Sequence, residues 1–425
     1  MLSAHENEYI TKVGPGTPMG KLMRQYWLPM GTSDDVQAEG SPLRVRLLGE
    51  DLIAFRTASG RVGLIDHVCP HRGTSLFFGR NEDEGLRCAY HGWMFDVTGE
   101  CLDMPGEPPE NNFASKIKLT AYPVQERHGM LWAYMGPRET PPPLPSLEAN
   151  IQPDNTRVLR TLRYCNWLQA LEGDVDTMHT EFLHGPAKVD LDSMEPGSGQ
   201  WYRHRLREQF KYSTKDTSFG TSYGAYRPAD EGTMYWRTAN YLFPFYTQTP
   251  TPAAGTAITA RIWVPVDDTH VIFWIIAAGN SHSTDDPGND RKGDSYLPET
   301  DGWLGRHRTI QQAENDYLID REYQKNVMYA GIKGSVMMQD VVATESMGAT
   351  NDRTREHLGV SDTMIIRTRR RILEAIRALE DSHVTPPGVD DPDVYITRSG
   401  WMILPEGADW WEGLQEAHKS AMIST

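Results

Sequence analysis

The chain has 425 residues, enough for two or three domains with cores of their own, and its hydrophobic (39%) and charged (24%) fractions are those of a soluble globular protein. Its 42 basic and 58 acidic residues give a net charge of -16, which excludes nucleic acid and anionic membrane as the main partner and obliges any anionic ligand to find a local basic pocket. Four cysteines exclude a disulfide scaffold, the longest apolar run, Val271 to Ala278, is too short to span a bilayer, and no signal-like leader opens the chain, so the expected compartment is the reducing cytoplasm.

Residues 8 to 28 read as helical about a Gly14-Pro15-Gly16 interruption, and the Tyr26-Trp27 pair would pack this leader, residues 1–40, onto a larger body. From Pro42 the hydrophobic period falls to two. Val45 and Leu47, Ile53 and Phe55, Val62 and Leu64 alternate with polar residues about turns at Gly49-Glu50-Asp51 and Ser59-Gly60, which predicts short antiparallel strands.

Those strands lead to Cys69-Pro70-His71, then sixteen residues, then Cys88-Ala89-Tyr90-His91. Two loops that each present one sulfur and one nitrogen suit a [2Fe-2S] cluster with Cys69 and Cys88 on one iron and His71 and His91 on the other, the Rieske arrangement. Gly73, Gly79 and Gly92 flank the ligands, as expected where backbone bends closely about a cluster. Tetrahedral zinc takes the same four ligands, although zinc fingers group Cys with Cys and His with His. Cys101 and Cys165 read as buried small hydrophobes.

Beyond His91 a Thr98-Gly99 turn and a hairpin through Tyr122, Val124, Met130, Trp132 and Tyr134 complete an all-β unit, residues 41–140. The run Pro141-Pro142-Pro143 stiffens the chain and marks a boundary. The second body, residues 150–425, shows alternation at Val158 to Tyr164, a helical block at Trp167 to Leu183 and strand candidates over roughly 205 to 278. A polar surface insertion follows at Ser281 to Thr300. Helical patterns resume at Ile310 to Met328 and at Thr363 to Leu379, the latter capped by Ser361 or Asp362.

The helical block contains Asp176-Thr177-Met178-His179-Thr180-Glu181-Phe182-Leu183-His184. Asp176 and His179 share a helix face, whereas His179 and His184 diverge by about 140 degrees on an ideal helix, so one ring has to sit at a distortion or a helix end to join the other on a metal. By itself the string fits surface or capping roles as well. The cluster changes its weight, because a Rieske centre only shuttles single electrons and a chain this long has to contain what receives them. Two imidazoles plus one carboxylate form the facial triad of non-haem Fe(II) oxygenases, which leaves positions open for O2.

With Cys-x-His...Cys-x2-His followed by Asp-x2-His-x4-His, nearly the whole chain resembles the oxygenase component of the Rieske non-haem iron aromatic-ring hydroxylating enzymes. The resemblance implies an α+β fold: an all-β Rieske domain joined to an α+β helix-grip catalytic domain with a curved antiparallel sheet. It makes Cys69, His71, Cys88 and His91 the cluster ligands and His179 and His184 ligands of a mononuclear Fe(II). Asp176 becomes the acid that links His179 to His91 of a neighbouring subunit, which implies a homo-oligomer built as a trimer or stacked trimers. The third iron ligand is expected at Asp340, in Met338-Gln339-Asp340-Val341-Val342, with Glu345 and Asp352 as fallbacks. Asn166, in Asn166-Trp167-Leu168-Gln169, either lines the iron pocket or caps the helix. Neither cluster loop has the extra cysteine of high-potential respiratory Rieske proteins, which suits a low potential. No dinucleotide fingerprint occurs, so a separate NADH-dependent reductase is implied.

Three stretches, Val13-Gly14-Pro15-Gly16-Thr17-Pro18-Met19-Gly20, Arg44-Val45-Arg46-Leu47-Leu48-Gly49-Glu50 and Cys69-Pro70-His71-Arg72-Gly73, look like the phthalate dioxygenase branch. That likeness implies cis-dihydroxylation of a phthalate- or chlorobenzoate-type acid by O2 and two electrons. A monooxygenase or O-demethylase would share every ligand, and a Rieske electron carrier with a non-catalytic second domain is the reading from another class. An aromatic carboxylate in a net-acidic protein needs a guanidinium, whose planar fork binds it bidentately. Arg207 and Arg237 are the candidates, a solvated strand arginine being the plain alternative for either.

Overall fold

Ser3 accepts from the Glu6 amide while Glu6 reaches back to the Ser3 backbone, and this reciprocal cap starts the first helix, α1 (Ala4–Thr11). In the computed structural model, residues 2–151, 156–205, 209–250, 253–278 and 295–423 are described. Arg207 and most of the expected 281–300 insertion lie outside them. A second helix, α2 (Pro18–Met23), starts with Thr17 as cap and Pro18 in the first turn. The helical reading fails from Trp27 onward, where the chain forms strand β1 (Trp27–Thr32). Pro29 has no N–H to give a helix, and the run is buried on both faces, which suits a covered strand.

The all-β unit follows from the alternation. Strands β2 (Leu43–Leu47), β3 (Glu50–Arg56) and β4 (Val62–Asp66) form one antiparallel sheet, and β5 (Arg80–Glu82), β6 (Gly85–Arg87), β7 (Met94–Asp96) and β8 (Cys101–Asp103) form a second. Strands β9 (Val124–Arg127) and β10 (Met130–Tyr134) make a third sheet with β1, in the order β1-β10-β9. Ile53, Phe55, Ile65, Leu86 and Phe95 pack with Cys69 and Cys88 in one core cluster, so the thiols sit on the floor of this unit.

The larger body begins with α3 (Glu148–Ile151), β11 (Arg157–Arg163), α4 (Trp167–Asp174), α5 (His179–Phe182) and α6 (Gly199–Arg205). Strands β12 (Lys211–Asp216), β13 (Gly220–Pro228), β14 (Thr233–Leu242), β15 (Tyr246–Gln248), β16 (Ile258–Pro265) and β17 (Val271–Ala278) follow, then α7 (Arg321–Asn326), α8 (Val336–Glu345), α9 (Thr363–Ser382), β18 (Gly400–Pro405) and α10 (Trp410–Ile423). Eight of the strands form a large curved antiparallel sheet, ordered β11-β17-β16-β15-β14-β13-β12 with β18 also paired to β14. The fold class is α+β.

Helix α9 buries Met364, Thr368, Ile372, Leu373 and Ile376, a 3.6-residue stripe, and packs on β12, β13, α1 and α2. Each apolar side chain buried this way contributes about 1.5–3 kcal/mol. Arg369 of α9 is 2.9 Å from Glu172 of α4, which also meets Arg353 at 3.1 Å, so a buried ion network ties the C-terminal half to α4. Asp362 precedes α9 but accepts from the Gly359 amide rather than capping the helix. The expected helix at Ile310 to Met328 reduces to a short 3-10 segment and α7, because Asp316, Tyr317 and Leu318 adopt positive φ. Among the described residues, no helix is long and apolar enough to cross a membrane.

Candidate metal centres

The two cluster loops are built alike. Cys69 N donates to Thr74 O at 2.9 Å and Gly73 N to Cys69 O at 3.0 Å; Cys88 N donates to Trp93 O at 2.8 Å and Gly92 N to Cys88 O at 3.0 Å. Each loop turns at its glycine, with φ of +80° at Gly73 and +78° at Gly92, values that a side chain with a Cβ rarely takes. Gly79 answers a different need: a Cβ there would lie 2.6 Å from Arg87 O, one residue before Cys88.

Cys69 and Cys88 are buried, whereas His91 is exposed and His71 half-buried. The two rings stand 4.4 Å apart at 71°, and Trp93 stacks on His71 at 4.5 Å. Burial holds the Cys69 thiol well above its usual range, next to the Cys88 thiol, so thiolate chemistry here requires an adjacent cation. The Cys88 thiol adjoins the Cys69 thiol and the His91 ring adjoins the His71 ring, so sulfur is grouped with sulfur and nitrogen with nitrogen, as a two-iron cluster held by thiolates on one iron and imidazoles on the other requires.

The second centre depends on a break. Asp174 ends α4 by accepting from Thr247 Oγ1 at 2.6 Å and Trp263 Nε1 at 2.9 Å, and it also pairs with Arg261. Val175 then leaves helical geometry, His179 opens α5, and His184 lies just past its end. This is the distortion that the five-residue spacing demands. Helix α8 packs on α4 and brings Asp340; Thr344 Oγ1 donates to Asp340 O at 2.7 Å, while Gln169 Nε2 donates to Thr344 O at 2.9 Å.

His184 Nε2 lies 3.0 Å from Asp340 Oδ1 and 3.1 Å from His179 Nε2, and the third edge, His179 Nε2 to Asp340 Oδ1, is 3.8 Å. Donors bound at about 2.1 Å and at right angles around one ion stand about 3 Å apart, so two edges match a facial triad and the third is wider. Burial would raise the Asp340 carboxyl, but the facing His184 and His179 rings outweigh it and hold it well below the usual carboxylate range. Behind the triad, Asp176 Oδ2 is 3.5 Å from His179 Nδ1 and Gln339 Oε1 is 2.7 Å from His184 Nδ1.

The fallback acids are engaged elsewhere: Glu345 accepts from Tyr164 N at 2.8 Å, and Asp352 caps a short 3-10 turn. Asn166 is a correction to the pocket-lining alternative. It is fully buried, caps α4 by accepting from Leu168 N at 3.1 Å, and donates to Thr11 O at 3.0 Å and Asp268 O at 2.8 Å, which commits its whole amide to joining elements.

A cavity of about 580 Å³ opens beside the triad, and Arg203, His204, Arg237, Met328 and Trp401 are among its walls. Arg237 lies on β14 between Ala225 of β13 and Trp401 of β18, is only 3% exposed, and has an Nε without a hydrogen-bond partner among the described residues. Burial, together with the guanidinium groups of Arg203, Arg227 and Arg237, pushes His204 down to about 4, so it is a neutral ring at pH 7. Sequence reading missed Gln339 and His204. The string Arg203-His204-Arg205 in an acidic chain was the visible signal for the second; nothing in one sequence singled out the first.

Paired one-sulfur, one-nitrogen loops, together with a His-His-Asp site that opens on a cavity walled by both carboxylates and guanidinium groups, are the residue types of an iron-dependent oxygenase of the two-centre kind. Residues 26–123 match the Rieske [2Fe-2S] domain and residues 133–422 the LigXa C-terminal domain like family. The chain is 43% identical to the 3-chlorobenzoate-3,4-dioxygenase oxygenase subunit of Comamonas testosteroni, covering 96% of this chain and 97% of that one. It is 36% identical to the phthalate 4,5-dioxygenase oxygenase subunit of Pseudomonas putida (89% and 87%) and 32% identical to the 5,5'-dehydrodivanillate O-demethylase oxygenase subunit of a Sphingobium species (93% and 85%). In fold it is similar to dicamba monooxygenase bound to dicamba, with a TM-score of 0.56 at 18% identity, covering 85% of this chain and 99% of that one. The chain belongs to the Rieske non-haem iron oxygenases, as an oxygenase (α) component, and its cofactors are a Rieske cluster and a mononuclear iron.

Proposed function

We propose that this chain uses O2 and two electrons to cis-dihydroxylate an aromatic carboxylate of the phthalate or chlorobenzoate type. The observation that carries the reading is Arg237, a buried guanidinium with an unpartnered Nε in the wall of the cavity that also holds His179, His184 and Asp340. Among the described residues no carboxylate forms an ion pair with Arg237, whose Nη1 donates to Tyr235 Oη at 3.5 Å while Glu181 acts on it only as a nearby charge, and a substrate carboxylate would supply a direct charge partner and acceptors. The similarity to chlorobenzoate and phthalate dioxygenase subunits supports the same class of acid.

In this reading Cys69, His71, Cys88 and His91 hold the cluster, and His179, His184 and Asp340 hold the iron, which when bound supplies O2 activation. Arg237 fixes the carboxylate and so turns one edge of the ring toward the triad. Neutral His204 adds an uncharged polar group to the same wall. Asp176 orients His179 and receives the electron path from His91 of a neighbour, whose exposed ring is suited to meeting another subunit; the assembly is a trimer or stacked trimers fed by a separate NADH-dependent reductase. The likeness to an O-demethylase supports a second reading, monooxygenation of a methoxylated acid. Product analysis tests both: a cis-dihydrodiol supports the first and formaldehyde release the second, while no O2-dependent product from any aromatic acid contradicts both.

A further inference from the structure

The two histidines of the triad are backed by unlike groups. His184 Nε2 is the atom that faces Asp340 and His179, at 3.0 and 3.1 Å, so it has to offer the metal a lone pair. A neutral imidazole that ligates through Nε2 keeps its proton on Nδ1, and that proton needs an acceptor. The atom present is Gln339 Oε1, 2.7 Å from Nδ1. Gln339 is 2% exposed, lines the cavity and sits on α8 next to Asp340. Its carbonyl end is therefore held at His184 by a buried, packed helix rather than by a mobile surface chain.

The backing of His179 is different. Asp176 is a charged acceptor 3.5 Å from Nδ1, whereas Gln339 is neutral and closer. One turn of α8 thus delivers two groups to the centre, Asp340 directly and Gln339 through the far side of a ring.

We propose that Gln339 is a positioning residue for the mononuclear iron: its side-chain carbonyl holds His184 in the Nδ1–H tautomer with Nε2 aimed at the metal position. This rests on His184 being an iron ligand, as proposed above. Removing such an outer acceptor lowers metal affinity by about 10–100-fold.

The test is anaerobic titration of Fe2+ against a chromogenic chelator, using purified protein that keeps its cluster but has been stripped of mononuclear iron. Gln339→Leu is expected to bind Fe2+ about 10–100-fold more weakly than wild type, while Gln339→Glu, which retains an acceptor at the same reach, stays within about threefold. Far-UV circular dichroism and the thermal unfolding midpoint report the fold of the larger body in every sample; if Gln339→Leu loses that fold, Gln339→Asn, whose amide stops short of Nδ1, takes its place with the same expectation. Wild-type affinity in the Leu or Asn variant, alongside lost affinity in His184→Ala, overturns the role of Gln339 and leaves the ligand set standing. Equal losses in the Leu and Glu variants also overturn it, since packing rather than an acceptor would then be what matters. Undiminished binding in His184→Ala overturns the ligand assignment beneath it.

Discussion

The Asp176 carboxylate lies 3.5 Å from His179 Nδ1, on the side of the ring away from the nitrogen that faces His184 at 3.1 Å. One carboxylate therefore touches the back of one candidate iron ligand while remaining partly exposed, with a side-chain exposure of 23%. Asp176→Asn keeps the shape and removes the charge. It is expected to retain both metals and to lower turnover by about 100-fold, with slowed oxidation of the reduced cluster in stopped-flow measurements. Wild-type turnover with both metals in place would remove Asp176 from the electron path.

In the proposed binding mode Arg237→Gln takes away a charge-assisted, two-pronged contact to the substrate carboxylate worth about 2 kcal/mol, or about 30-fold in affinity. The Michaelis constant for an aromatic acid is expected to rise by about that factor, while the turnover number changes by less than about threefold. Steady-state oxygen uptake checks it. A fall in turnover at unchanged Michaelis constant would place Arg237 outside substrate binding.

Asp340→Ala is expected to lower the iron content from three atoms per chain to two and to leave the cluster absorption intact, because Cys69 to His91 form a separate centre. Glu345→Ala, at a residue that accepts from the Tyr164 amide, is expected to keep three. Iron analysis beside the visible spectrum decides it, and three irons in Asp340→Ala would exclude that carboxylate as a ligand.

How far these residues were legible beforehand depended on whether chemistry or packing chose them. The cluster loops could be read because ligand type and spacing are fixed by iron coordination, and the break between α4 and α5 because five residues cannot bring two rings together on a straight helix. The strand Trp27–Thr32 could not, since its partner Met130–Tyr134 is about a hundred residues away and local periodicity carries no trace of it. Asn166 was ambiguous because an amide serves a cap and a pocket equally well; the bond its Oδ1 accepts from Leu168 N makes it the cap, and its donations to Thr11 O and Asp268 O take up the rest of the amide. Gln339 stayed hidden because an outer acceptor is defined only by the ring it touches.

His204 makes acid stability a readout of the cavity wall. Burial and three guanidinium neighbours push it from 6.5 to about 4, so the unfolded chain binds the extra proton first as pH falls. Its contribution to stability is complete above about pH 6.5 and is lost between 6.5 and 4, amounting to about 1–2 kcal/mol once partial solvent screening is allowed for. His204→Asn is expected to flatten the pH dependence of denaturant unfolding in that window. An unchanged slope between pH 6.5 and 4 would mean that His204 titrates normally.

In the proposed function the triad and Arg237 together serve the oxygenation of an aromatic acid, and 18O2 labelling reports that chemistry at the product. With the reductase component, NADH and a panel of phthalates, chlorobenzoates and methoxybenzoates, the expected product is a cis-dihydrodiol acid that carries both atoms of one O2 and is lost in Asp340→Ala. Protein with three irons per chain that reduces its cluster yet makes no 18O-labelled product from any acid in the panel would contradict the account.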